Sequence, residues 1–116
     1  LLVVACNTVS ALALSKLRQL FTIPIVDVIG PGAEKAAAVT RHQRLAVLGT
    51  RATIQSETYQ TAIQRIAPHA TIIPIACPLF VPLVEEQWFD HPATRLIIQE
   101  YLSPLKTEAI DTTLLG

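Results

Sequence analysis

Leu1-Leu2-Val3-Val4-Ala5-Cys6-Asn7-Thr8 is the stretch on which the fold turns. Its first five residues are a continuous apolar run rich in Leu and Val, with no polar alternation. Such a run suits a strand buried on both faces, as inside a parallel sheet. The polar residues that follow mark the strand's carboxyl end, and Thr8 or Ser10 can cap the next helix. In that helix Leu14, Leu17 and Phe21 recur at helical spacing, with Lys16, Arg18 and Gln19 on the other side. Pro24 stops it.

Outward from this unit the strand–helix alternation repeats. Residues 25–29 read as a second strand, Gly30-Pro31-Gly32 as a turn, and the alanine-rich residues 33–40 as a short helix. Leu45-Ala46-Val47-Leu48 is a third strand, ending at Gly49-Thr50. Residues 56–67 predict a helix with Tyr59, Ile63 and Ile66 on one face, ended by Pro68. Residues 71–76 form a fourth strand, placed near a sheet edge by Pro74. Cys77-Pro78 opens another helical stretch, in which Pro78 and Pro82 are best accommodated near the start. Residues 93–102 predict a further helix and residues 110–115 a fifth strand. The pattern is that of an α/β fold with a mostly parallel sheet between helices. The Gly30-Pro31-Gly32 punctuation is expected to be a hinge between two lobes.

Composition narrows the function classes. The 116 residues are 51% hydrophobic, enough for a real core, and only 16% charged. Nine Lys and Arg balance nine Asp and Glu, so the charge footprint of a nucleic-acid binder is missing. No apolar run reaches the roughly 18 residues needed to cross a bilayer. Two cysteines do not make a disulfide framework, which points to a reduced, cytoplasmic setting. Val3-Val4-Ala5-Cys6 superficially resembles a lipoprotein signal, but it lacks a positive lead-in and an apolar stretch of about 7–15 residues. The chain has no Met, opens in one apolar run and closes in another, so a segment of a longer protein is expected.

Ligands of open α/β sheets sit at the carboxyl ends of strands. Cys6 is at such an end, ahead of a helix whose free N–H groups and partial positive charge favour a thiolate and can bind a carboxylate. A thiolate there could take a proton from a carbon next to a carboxylate. A cysteine after an apolar strand is also commonly a small buried hydrophobe, and position alone leaves both readings open. Cys77 stands at a similar address, but Pro78 and Leu79-Phe80-Val81 favour burial. Thr50 and Thr53 follow the third strand, where helix capping is their simplest role. Glu85-Glu86 reads either as a cleft-edge carboxylate pair or as a solvated helix end. Asp27 could face a pocket from the second strand. His42, His69 and His91 have no metal-ligand spacing, and no phosphate-binding glycine loop occurs, so neither metal nor nucleotide is expected.

Several blocks resemble the glutamate racemases, in the family's order. They are Leu2-Val3-Val4-Ala5-Cys6-Asn7-Thr8 with Ser10-Ala11, then Val28-Ile29 with Pro31-Gly32-Ala33, then Leu48-Gly49-Thr50 with Thr53-Ile54 and Ser56. The run from Ala76-Cys77-Pro78 to Glu85-Glu86 is the most specific and argues against an aspartate racemase. Tyr101-Leu102 with Pro104-Leu105, and Ile110-Asp111-Thr112 with Leu115-Gly116, complete the set. The resemblance implies a two-lobed fold, with residues 1–29 ending the first lobe and 30–116 forming most of the second. It implies cofactor-independent interconversion of L- and D-glutamate for peptidoglycan synthesis, by two cysteines on opposite faces of the substrate. Cys6 matches one base and Glu85 an acidic residue assisting the other; Asn7, Thr8, Thr50 and Thr53 match substrate-binding positions. The partner implied is glutamate, with neither nucleic acid nor membrane, and a homodimer is expected of the full protein. The family's second base lies in a Cys-Thr-His motif directly after a Leu-Gly pair like Leu115-Gly116, so this segment alone is expected to be inactive. An amino-acid racemase of other specificity, or a non-catalytic remnant of the same fold, stays open as the alternative.

Overall fold

The computed structural model describes all 116 residues and contains two parallel sheets with helices packed on them. The first sheet pairs β1 (Leu2–Val4) with β2 (Ile25–Asp27), Val4 lying opposite Asp27. Helix α1 (Asn7–Leu20) connects them. The second sheet has the order β4-β3-β5, with β3 (Arg44–Gly49) central and β4 (Thr71–Ala76) and β5 (Thr112–Leu115) parallel to it.

Strand β3 is the molecule's axis. Leu45, Ala46 and Val47 are fully buried, which is why this strand reads as an unbroken apolar run. Its side chains alternate between two cores. Leu45 and Val47 join Ile29, Ala33, Ala36, Tyr59 and Ile63 under helices α2 (Ile29–Val39) and α4 (Thr58–Ile66). Ala46 and Leu48 meet Cys77 on the other face, with Phe80, Tyr101 and Leu102 closing over them. Each fully buried Leu, Val or Ile contributes about 1.5–3 kcal/mol. Pro74 is accommodated because β4 is an edge strand.

Four local expectations are corrected. Gly30-Pro31-Gly32 is not a turn but the first turn of α2, so the hinge expected there is helix. The Asp27 carboxylate accepts from the backbone N–H groups of Ile29 (3.0 Å) and Gly30 (3.3 Å), and Pro31 lacks only an N–H that the first turn would leave unpaired. The helix expected over residues 56–67 is α4, which begins only at Thr58 because Glu57 turns left-handed (φ 54°), and a short helix that was not expected, α3 (Arg51–Gln55), precedes it. Neither Thr8 nor Ser10 caps α1. The cap is Cys6, whose carbonyl accepts from the Ser10 N–H at 2.9 Å, while the Ser10 hydroxyl donates to the Val4 carbonyl at 3.1 Å. Strand β2 stops at Asp27, where residue 28 leads into α2, and β5 begins at Thr112 rather than at residue 110.

Beyond β4, Cys77-Pro78 leads through a turn into α5 (Phe80–Glu85), with Pro82 in its first turn. Helix α6 (Pro92–Leu102) follows, its cap being His91, whose Nδ1 accepts from the Ala93 N–H at 3.1 Å. A short 3-10 segment (Ser103–Thr107) returns the chain to β5. Asp111 ties β5 to the loop before β3: it accepts from the Thr40 hydroxyl at 2.7 Å and from the backbone N–H groups of Arg41 and His42. Those bonds, the Thr40 hydroxyl first, lower its pKa to about 2. No helix is long and apolar enough to cross a membrane.

Candidate active site

The carboxyl ends of β1 and β3 supply the polar groups. At the first, Cys6 is exposed and its side chain makes no capping bond. Asn7 and Thr8 open α1 directly after it. At the second, Thr50 caps α3: its hydroxyl oxygen accepts from the Thr53 N–H at 3.1 Å. This arrangement turns Thr53 inward to full burial.

The two ends meet through hydroxyls. Thr8 Oγ1 lies 2.9 Å from Thr50 Oγ1 and 3.3 Å from Thr53 Oγ1, and the latter two are 3.0 Å apart. Residues 42 and 45 positions apart in sequence thus form a closed ring of three hydroxyls, each able to donate or accept. Capping, the simplest role for Thr50, is realised together with this ring. A second tie runs from Tyr59 of α4, whose hydroxyl donates to Asn7 Oδ1 at 2.6 Å. Burial first, and the negative charge of Asp27 second, raise the Tyr59 pKa, so the phenol stays protonated at neutral pH.

An open cavity of about 670 Å³ adjoins these groups, with Asn7, Thr50, Cys77 and Glu85 on its wall. Much of the rest is apolar: Phe80, Val84, Trp88 and Phe89 contribute from α5 and the loop after it. Glu85 is exposed at the end of α5, so it is both a helix-end carboxylate and a cavity residue. Cys77, by contrast, is 2% exposed. Its thiol makes a 3.7 Å contact with the Ile75 carbonyl, and burial raises its pKa, favouring an inert neutral thiol. Asp27 is not on this cavity's wall: its carboxylate accepts from the first N–H groups of α2 and pairs with Arg18 at 3.4 Å. The geometry therefore joins Thr8, Thr50 and Thr53 and puts Asn7, Thr50 and Glu85 on one cavity, while Cys6, exposed at the head of α1, is not on that cavity's wall. Charge-neutral donors, a helix N-terminus and a thiol can hold a carboxylate and move a proton.

A model of the Asp/Glu/Hydantoin racemase family matches residues 1–116, the whole chain. The chain belongs to that family. The glutamate racemase of Geobacter metallireducens is 53% identical over 116 residues, and that of Syntrophus aciditrophicus 51%. In both cases all of this chain aligns with 43% of the relative, so the chain spans less than half the length of these racemases. Among solved structures, glutamate racemase RacE1 of Bacillus anthracis superposes with a TM-score of 0.92 at 38% identity, over 98% of this chain and 43% of that one. The Francisella tularensis glutamate racemase, solved with D-glutamate, superposes with a TM-score of 0.91 at 31% identity over the same shares. The fold is thus part of the two-domain racemase architecture.

Tyr59 is the site residue that sequence reasoning passed over. It was legible only as one of an apolar stripe with Ile63 and Ile66. The available signal was its hydroxyl, since a buried tyrosine needs a hydrogen-bond partner where phenylalanine would not. The apolar wall formed by Trp88 and Phe89 had no signal at all, because the tight turn at Gln87 (φ 56°) that brings them round is a tertiary feature.

Proposed function

We propose that this chain works within a glutamate racemase that interconverts L- and D-glutamate without a cofactor. The observation that carries the reading is the meeting of Thr8, two residues after exposed Cys6, with Thr50 and Thr53, in a chain that matches the racemase family from end to end. The Cys6 thiolate takes the α-proton, leaving a thiol and a carbanion stabilised by the adjacent carboxylate. A second thiol then delivers a proton to the opposite face. That second thiol is the cysteine of the family's Cys-Thr-His motif; Cys77, buried and neutral, is not a base. Asn7 and the three threonine hydroxyls hold the substrate's polar groups, and Glu85 assists the second base from the cavity wall. Residues 1–29 end one lobe and 30–116 make most of the other, with α2 rather than a loop as the joint. D-glutamate made in this way feeds peptidoglycan synthesis in the cytoplasm, and the full protein is a homodimer.

The test replaces the matching segment of the 53%-identical Geobacter racemase with these 116 residues. The chimera is expected to exchange the α-hydrogen of glutamate with solvent deuterium and to racemise it. Cys6→Ala is expected to lower that rate by about 10²–10⁴-fold, the ordinary contribution of a proton-transferring group. Turnover of aspartate but not glutamate would overturn the substrate, and a soluble, folded but inert chimera would favour a non-catalytic remnant.

A further inference from the structure

Tyr59 lies 2% exposed between two glycines, and the fit leaves its ring one position. A Cβ on Gly116 would come within 2.8 Å of Tyr59 Cε2, and one on Gly32 within 3.3 Å of its hydroxyl. The ring is therefore fixed by α2 on one side and by the residue after β5 on the other. Its hydroxyl has a single hydrogen-bond partner, Asn7 Oδ1, 52 positions away in sequence. A carboxamide has two orientations of nearly equal shape, and its partners decide which is held. A phenol is a better donor than acceptor, so Tyr59 engages the amide oxygen. The two N–H hydrogens of Asn7 are then left for the cavity, whose wall Asn7 shares with Thr50 and Glu85.

We propose that Tyr59 is a positioning residue that locks the Asn7 carboxamide with its N–H groups toward the substrate carboxylate nearest Cys6. This rests on reading the chain as part of a glutamate racemase. An amide free to turn can present its oxygen to that carboxylate, where two oxygens repel. The lock thus selects a carboxylate over a neutral amide at the same place.

The experiment uses the full-length racemase containing this chain, with Tyr59→Phe, which keeps the ring and removes the hydroxyl. KM for glutamate is expected to rise about tenfold, the weight of one hydrogen bond to a charged group, with kcat changed by about twofold or less. Isoglutamine, glutamate with its α-carboxylate replaced by a carboxamide, serves as the competing inhibitor. Its disadvantage against glutamate should shrink by about tenfold in Tyr59→Phe, because a freed Asn7 can offer its oxygen to an amide N–H. A merely structural tyrosine would weaken both ligands in parallel, and that result, or an unchanged KM, overturns the proposal. Should Tyr59→Phe fail to fold, Asn7→Asp decides. It keeps the tyrosine bond but has no N–H to orient, so it must lose the preference for the carboxylate, and retention of that preference overturns the proposal. A wild-type protein that does not racemise glutamate overturns the functional reading itself, a result distinct from an active wild type with an indifferent Tyr59.

Discussion

Ala5-Cys6-Asn7-Thr8 and Ala76-Cys77-Pro78-Leu79 give the same residue nearly the same address, just past the end of a parallel strand, and opposite surroundings. Cys6 is followed at once by a 14-residue helix, so its carbonyl becomes the helix's first acceptor and its side chain is left at the surface. Cys77 is still held by the sheet, its N–H donating to the Gly49 carbonyl at 2.8 Å, and Pro78 delays the next helix until Phe80. That delay lets Phe80 and Tyr101 pack edge to face, 5.3 Å apart, in the cluster that closes over the buried thiol. A strand end offers a reactive position only where the following residues cap the helix rather than cover the strand. Burial here decides the chemistry more than the residue does.

The contrast can be attacked directly. The largest expected effect is in thiol labelling of the folded protein by an aromatic disulfide reagent followed by absorbance. Cys6 should react at the rate of an exposed thiol and Cys77 about 10²-fold or more slowly, through opening of the cluster above it. Equal rates would erase the distinction. Next, Cys77→Ala in the full-length racemase should leave kcat/KM within about twofold while lowering stability by about 1 kcal/mol in denaturant titrations, the scale of a small truncation in a core. A collapse in activity with stability intact would return Cys77 to the machinery.

The smallest effect is a control at the opposite ends of the strands. The Asp111 pKa is lowered in the fold from its ordinary value of 3.8 to about 2. The stability it contributes is therefore complete above about pH 4 and is lost as pH falls through about 2. Denaturant midpoints between pH 5 and pH 2 should show that acid-side loss in the wild type and less of it in Asp111→Asn. The labelling ratio of the two cysteines at neutral pH should be the same in both proteins. A changed ratio would mean that the two ends of the sheet are not independent.

The third strand was legible because its burial is two-sided, whereas the first reads the same way in sequence yet leaves Val3 59% exposed beside buried Val4. Leu45-Ala46-Val47-Leu48 could be little else, and Pro74 marked its own strand as an edge. What the sequence hid were places where one side chain at a distance redefines a local signal. Gly30-Pro31-Gly32 reads as a turn until Asp27 supplies the carboxylate that lets a helix begin through it. Residues 56–67 read as one helix, and the short helix over Arg51–Gln55 ahead of it went unread, because nothing local announces the left-handed Glu57 that separates the two. In the site, Cys6, Asn7, Thr8, Thr50 and Thr53 were visible as strand-end residues and through a family pattern. Their meeting was not visible, since hydroxyl contacts across more than 40 residues leave no periodicity. Glu85 was placed correctly on a helix end, but its cavity was invisible without the wall opposite.

The ring formed by Thr8, Thr50 and Thr53 has a consequence in symmetry. Three mutually bonded hydroxyls can point their O–H bonds around the ring in either sense, clockwise or anticlockwise, by rotating about three C–O bonds, with no heavy atom moving. Such a ring has no built-in direction. For the proposed reaction the bound molecule and its product are mirror images at one carbon, and a polar site committed to one sense would favour one of them. A ring that reverses by rotation alone can re-aim its donors and acceptors as the substrate's groups shift between the two hands.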